Sequence, residues 1–135
     1  MKIDIRRILN ILVFALILGF TVTNVTAQDW RVLGLKAATK RSMTDSITVK
    51  PKQGAIRRIK FRSALATVRI SNVVVDYRNG KSERISFDGL IAPNSESQAF
   101  DLRGRARDVK RINFTYVALS FRGRNALISV YGQTD

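Results

Sequence analysis

The chain has 135 residues, with 24 Lys or Arg against 10 Asp or Glu, no His and no Cys, and a formal net charge of +14. This length suits one domain, and the missing residue types exclude thiol chemistry, thiolate metal sites, disulfide staples, and the commonest general base and metal ligand. The charge excess favours solubility and draws polyanions from about a Debye length, ~8 Å at physiological salt, without specifying a fold.

The first element reads as an address. Lys2, Arg6 and Arg7 form a positive opening, residues 8–20 are a nearly unbroken apolar run, and a short polar stretch ends in Val25-Thr26-Ala27, where Val25 and Ala27 suit a signal peptidase. The run's 13 residues fall short of the roughly 20 that a permanent membrane helix needs. Residues 1–27 are therefore expected to be a cleaved signal peptide and residues 28–135 a single all-β domain, exported to the periplasm or secreted, with no transmembrane span after processing. A retained anchor, lengthened by residues 21–25, is the alternative. Cleavage after Ala27 removes Lys2, Arg6, Arg7 and Asp4, leaving 21 basic and 9 acidic residues and a net charge of +12.

From Trp30 onward, short runs rich in Val, Ile, Phe and Tyr alternate with period two between Gly, Asn, Ser and Asp. Strands are predicted over residues 32–37, 46–50, 56–63, 66–71, 73–78, 84–87, 98–102, 109–118 and 126–131, and no stretch carries a helical stripe. Eight or nine short strands in about a hundred residues predict a two-sheet antiparallel β-sandwich, jelly-roll-like or a small barrel. Ile56 and Arg57 are out of phase with Ile59 and Phe61, which predicts a bulge near Arg57. The phase switches again between Ser63 and Ala66, which predicts a bend from one sheet to the other.

The Asn79-Gly80 hairpin allows its register to be argued. A two-residue loop sets Val75 against Arg84 and mixes apolar and charged residues on one face, whereas a three-residue loop, Arg78-Asn79-Gly80 with Gly80 left-handed, sets Val73 opposite Ile85. The second register keeps Val75, Tyr77 and Phe87 on that same face and leaves Asp76 diagonal to Arg84 outside.

Catalytic constellations are absent from the sequence, so the expected protein is not an enzyme, and no cofactor or metal is implied. Asp101 and Asp108 flank a basic segment as a formal acid and base pair for glycoside cleavage, but Arg103, Arg105, Arg107, Lys110 and Arg111 favour ion pairing instead. Gly104, Gly123 and Gly132 read as turns, since none stands between a strand and a helix as a phosphate loop requires. Asn113-Phe114-Thr115 matches a glycosylation acceptor but lies inside a predicted strand. The feature with functional content is the basic loading. Arg58, Lys60, Arg62 and Arg111 take outward phases and Arg103 and Arg105 sit in a loop, so these six form the candidate polyanion surface, against the bland alternative that they are solvated strand faces. Phe61, Phe114 and Tyr116 fall on the inward phase, which removes the stacking platform that single-stranded nucleic acid needs, so no specific nucleic-acid partner is expected.

The strand signals occur in a recognisable order: Trp30-x-x-Leu33-Gly34, Asp45-x-Ile47-x-Val49, Gly54-x-Ile56-Arg57-x-Ile59 and Val73-x-Val75-x-Tyr77-x-Asn79-Gly80, then Asp101-Leu102-x-Gly104-x-x-Arg107-x-Val109, Tyr116 and Arg124-x-Ala126. The succession resembles the YaaI-like family of small, exported, functionally uncharacterised bacterial proteins over nearly the whole mature chain. The resemblance implies a periplasmic or secreted β-sandwich and brings no activity or cofactor. It also implies that Arg57 and Arg107 are structural, half-buried beside apolar strand residues and paired with a carboxylate such as Asp45 or Asp101. The expected function is an envelope or secreted binding module for anionic polymers or lipid headgroups. The alternatives are a structural or assembly protein pairing through strand edges and, remotely, a hydrolase.

Overall fold

A computed structural model describes residues 29–119 and 125–134. The signal-peptide boundary, Arg122, Gly123 and Arg124 lie outside these described residues. Ten strands are formed, β1 (Trp30–Ala38), β2 (Met43–Thr48), β3 (Ile56–Ala64), β4 (Thr67–Tyr77), β5 (Ser82–Ile85), β6 (Gly89–Ile91), β7 (Ser95–Glu96), β8 (Phe100–Asp101), β9 (Val109–Leu119) and β10 (Ala126–Thr134). They build two antiparallel five-stranded sheets, one ordered β1-β10-β3 with β7 and β8 both on the far side of β3, the other β2-β9-β4 with β5 and β6 both on the far side of β4. Apart from the 3-10 turn Pro51–Gln53, the described residues contain no helix, so the all-β sandwich is as the periodicity predicts.

The inward phases of the long strands meet between the sheets. Ile59 and Phe61 of β3, Val130 and Ile128 of β10, Val68, Ile70 and Val75 of β4, and Ile112 and Phe114 of β9 are fully buried. The Phe61 and Phe114 rings cross the layer edge to face at 5.3 Å, a favoured aromatic geometry. Phe87 stacks over Phe61 at 6.3 Å and leans on Phe100 at 5.0 Å, which joins a residue of the β5–β6 connection to β3 and β8 of the other sheet.

Both predicted phase breaks are present. Pairing runs from Gln133↔Arg58 directly to Thr134↔Ile56, so Arg57 is the bulged residue and Ile56 and Ile59 both turn inward. The chain changes sheet at Leu65, which has φ 77°, and the Ser63 hydroxyl donates to the Ala66 carbonyl across this bend. Another bulge was hidden in the sequence. Residues 66–71 and 73–78 are not two strands but one, β4, because Asn72 at φ 52° adds an extra residue opposite β9 and switches the phase without breaking the ladder.

The hairpin has the three-residue loop. Val73 pairs with Ile85 and Val75 with Glu83, the Tyr77 amide donates to the Lys81 carbonyl at 2.8 Å, and Gly80 has φ 87°. Asp76 lies diagonal to Arg84 as expected, since Val74 pairs with Arg84 and Asp76 with Ser82, and its ion pair is with Arg111 across the β4–β9 ladder at 3.5 Å. Gly80→Ala should cost about 1 kcal/mol in urea unfolding. Nothing lies within 4 Å of the added Cβ, so a larger loss would mean a contact effect in place of the conformational one.

Gly132 is not a turn. It lies within β10, where a Cβ would meet Leu33 Cδ1 at 2.8 Å, so the glycine lets the Leu33 and Ile56 side chains pass over the strand. β6 and β7 have only three and two residues and lie among Gly, Pro, Asn and Ser, which masks them as loop in the sequence.

Candidate functional site

Three connections come together at one end of the sandwich: residues 49–55 between β2 and β3, the hairpin loop 78–81, and residues 102–108 between β8 and β9. Their backbones are tied. The Val49 amide donates to the Lys110 carbonyl at 2.9 Å, the Arg78 amide to the Asp108 carbonyl at 3.0 Å, Ile56 and Arg107 exchange reciprocal bonds of 2.8 Å, and the Leu102 amide donates to the Arg57 carbonyl at 3.0 Å. The Arg78 guanidinium also donates to the Val49 carbonyl, so the hairpin is clamped to the β2 end by a side chain.

These connections carry Lys50, Lys52, Arg78, Lys81, Arg103, Arg105 and Arg107, and only one carboxylate, Asp108. Asp108 is occupied by Arg78 at 2.9 Å. Lys110 follows at the start of β9. Lys50, Lys52, Lys81, Arg105 and Lys110 form no ion pair among the described residues, which leaves their charges facing solvent.

Beneath this end lies a buried carboxylate. The register that puts Val75 opposite Glu83 places Glu83 on the inward phase, 8% exposed. The Tyr77 hydroxyl donates to Glu83 Oε1 at 2.5 Å, the Arg103 amide donates to the same oxygen at 2.9 Å, and Arg103 Nε stands 3.8 Å from Oε2. Burial first, and then the hydrogen bond and charge of Glu83, push the Tyr77 hydroxyl above the usual phenol range, so it stays a donor. Arg107 covers the other face of Tyr77, its guanidinium carbon 4.1 Å from the ring centroid, while Nη1 donates to the Arg103 carbonyl at 3.0 Å. Glu83 thus pins the basic loop to the core. Glu83→Ala should destabilise the domain by about 2 kcal/mol, because the Tyr77 hydroxyl and Arg103 amide lose their acceptor, and Glu83→Gln should cost less by keeping an oxygen there. Equal losses in urea unfolding would show that the hydrogen bonds are not what matters.

The six sequence candidates are not brought together. Arg58 pairs with Asp101 at 2.6 Å, Lys60 with Glu96 at 3.0 Å, and Arg62 approaches the same Glu96 at 3.9 Å, all on the outer face of the first sheet. Arg111 is on the outer face of the second sheet with Asp76, whose carboxyl is held below the usual range by hydrogen bonds from Ser82 and Asn113. Only Arg103 and Arg105 reach the basic end, where sequence reasoning had not grouped Lys50, Lys52 and Lys81 with them. Ion pairs do take both formal acid and base candidates, but through Arg58 for Asp101 and Arg78 for Asp108, not through the adjacent arginines.

Arg107 is half-buried as expected, with an aromatic ring and a carbonyl as its contacts in place of a carboxylate. Arg57 is exposed on its bulge instead of half-buried. Asp45 is held by Lys36 at 3.0 Å, and the Ser46 amide and Lys36 together keep its carboxyl below the ordinary carboxylate range. Asn113 Nδ2 donates to the Val74 carbonyl at 3.2 Å and to Asp76 at 2.9 Å. Among the described residues no group of three or more carboxylates converges in a way that would hold a metal ion. A shallow groove of about 420 Å³ runs between β5 and β8, bordered by Glu83, Arg84, Ile85, Phe100, Asp101 and Arg103.

The chain belongs to the family described as Domain of unknown function (DUF2541), whose model matches residues 10–132. Comparison with curated proteins gives no match. Among solved structures, the SPBc2 prophage-derived protein YomS is similar at 14% identity and a TM-score of 0.44, over 80% of this chain and 94% of that one.

Proposed function

We propose that this domain is a non-enzymatic, exported binding module whose basic end holds anionic polymers or lipid headgroup phosphates. The observation that carries the reading is the charge ratio on the three joined connections, seven cations to a single carboxylate that is already in an ion pair. Exposed cations also occur singly or in pairs elsewhere, as at Arg31, Lys40, Arg41 and Arg84, but the cation clusters on the outer faces of the sheets are matched. Arg58, Lys60 and Arg62 face Asp101 and Glu96, Arg69 faces Asp88, and Arg111 faces Asp76, so those faces attract a polyanion weakly.

The reading is tested by serine substitution in two sets. Replacing Lys50, Lys52, Lys81, Arg105 and Lys110 together should abolish most binding to a soluble polyanion such as a single-stranded oligonucleotide, while replacing Arg58, Lys60 and Arg62 should change it less than about twofold. The reverse order would return the site to the outer face of β3.

A further inference from the structure

We propose that the outer face of the first sheet, along its β1 border, rests on the surface of an anionic phospholipid bilayer. This inference rests on the reading of the basic end and names a membrane as the source of its phosphates. The register defines the face. Val32 pairs with Tyr131, Leu35 with Ser129 and Ala37 with Leu127, the phase opposite to the buried Ile128 and Val130. Val32, Leu35 and Leu127 are 48%, 53% and 39% exposed, and they run as one aliphatic stripe across two neighbouring strands.

The stripe is bounded by the groups that a bilayer interface favours. Trp30 and Tyr131 lie at its upper end, with Lys60 Nζ 4.2 Å from the Trp30 ring and 5.7 Å from the Tyr131 ring. Lys60 is held by Glu96 at 3.0 Å and adds little for phosphate, but aromatic rings with a polar tip suit the headgroup layer, and aliphatic side chains suit the acyl boundary below it. The same end of β1 adjoins the basic end, since Trp30 pairs with Gln133, Gln133 with Arg58, and Thr134 with Ile56, which bridges to Arg107. Cations for phosphate and side chains for the acyl boundary therefore share one border.

Two further observations favour a bilayer over a second copy of the chain. Copies with a net charge of +14, or +12 once residues 1–27 are removed, repel each other, whereas the same charge draws an anionic surface. The β1 edge is also guarded against strand addition, by the bulge between Val32 and Gly34 and by Lys36, which turns inward to Asp45. In addition, the chain enters the fold at this border. Nine residues separate the apolar run of residues 8–20 from Trp30, a reach of at most about 30 Å, so any stage at which that run is held by a membrane brings β1 to it.

Trp30 is the one tryptophan of the chain, so its emission reports on this face alone. Vesicles of phosphatidylcholine with phosphatidylglycerol should shift Trp30 emission to the blue, and brominated acyl chains should quench it. Leu35→Asp with Leu127→Asp should weaken vesicle partition by about tenfold or more while leaving oligonucleotide binding and the urea midpoint near the parent's, and Leu90→Asp, exposed on the other sheet, should leave partition unchanged. Vesicle binding with unaltered Trp30 emission, or a double variant that partitions like the parent because residues 8–20 do the work, overturns the inference and leaves the basic end's reading standing. A dimer that the double variant dissolves, without vesicle binding, also overturns it by assigning the face to a second copy. Loss of oligonucleotide binding in the parent would overturn both.

Discussion

Phe61→Ala is expected to remove about 3–5 kcal/mol from the stability of the domain, a third or more of what a domain of this size commonly has. Phe61 is fully buried on β3, its ring edge against Phe114 of the opposite sheet and its face toward Phe87. Truncation leaves a void between two layers that cannot close it, because β3 is held on both sides by ladders to β10 and to β7 and β8. The chain has no cysteine, so its stability rests on packing without a cross-link that limits the unfolded state. Urea unfolding should show the midpoint falling with an unchanged slope. Leu65→Ala is the control, since Leu65 is exposed at the sheet-changing bend and its truncation should stay within about 0.5 kcal/mol. A Phe61→Ala loss below about 1.5 kcal/mol would mean that the sheets slide together and that the core is not close-packed there.

The fold was legible wherever alternation and turn chemistry acted locally. The Arg57 bulge and the bend after Ser63 follow from a single slip in a period of two, and the hairpin register follows from keeping Val73, Val75, Tyr77 and Ile85 on one face, although that register also brings Glu83 onto it and leaves Arg84 opposite Val74 outside. What stayed hidden depended on long-range pairing. Asn72 looks like a boundary because the phase changes there, and only the ladder from Ser71↔Thr115 to Val74↔Asn113 shows a continuous strand. Gly132 looks like a turn because its reason is a side chain a hundred residues away, Leu33, crossing above it.

The site was less legible than the fold for the same reason. Glu83 was within reach, because the register that sets Val73 opposite Ile85 necessarily sets Val75 opposite Glu83, and a carboxylate on an inward phase demands partners. Its partners were not, since Tyr77 is six residues away but Arg103 is twenty, and the loop's docking is a tertiary event. The outward arginines of β3 were read correctly as outward, yet the short strands β7 and β8 bring Glu96 and Asp101 against them. Alternation reports which face a side chain takes. It carries no information about which charges meet across strands that are two residues long.

The largest expected functional effect is the response of polyanion binding to salt. If Lys50, Lys52, Lys81, Arg105 and Lys110 each neutralise one phosphate of a single-stranded oligonucleotide, each releases about 0.7 of a counterion, so the logarithm of affinity should fall with the logarithm of salt at a slope near −3.5. Between 50 and 500 mM salt that is a loss of about three and a half orders of magnitude. Because the contribution is electrostatic and the buried aromatics offer no stacking platform, oligonucleotides of different sequence and soluble sulfated polymers of equal charge density should give similar curves. Arg105 should matter more than any one lysine toward phosphate, since its planar guanidinium presents two parallel donors, and Arg105→Lys should recover only part of the parent's affinity. The five-site serine variant should flatten the slope to within about one unit of zero, and its urea midpoint should stay near the parent's because these side chains hold no ion pair that the fold uses. Glu83→Gln supplies the complementary case, loosening residues 102–108 without removing a cation, so its affinity should fall while its salt slope stays near the parent's. A parent whose binding ignores salt, or a serine variant with an undiminished slope, would end the reading of this end as a polyanion site.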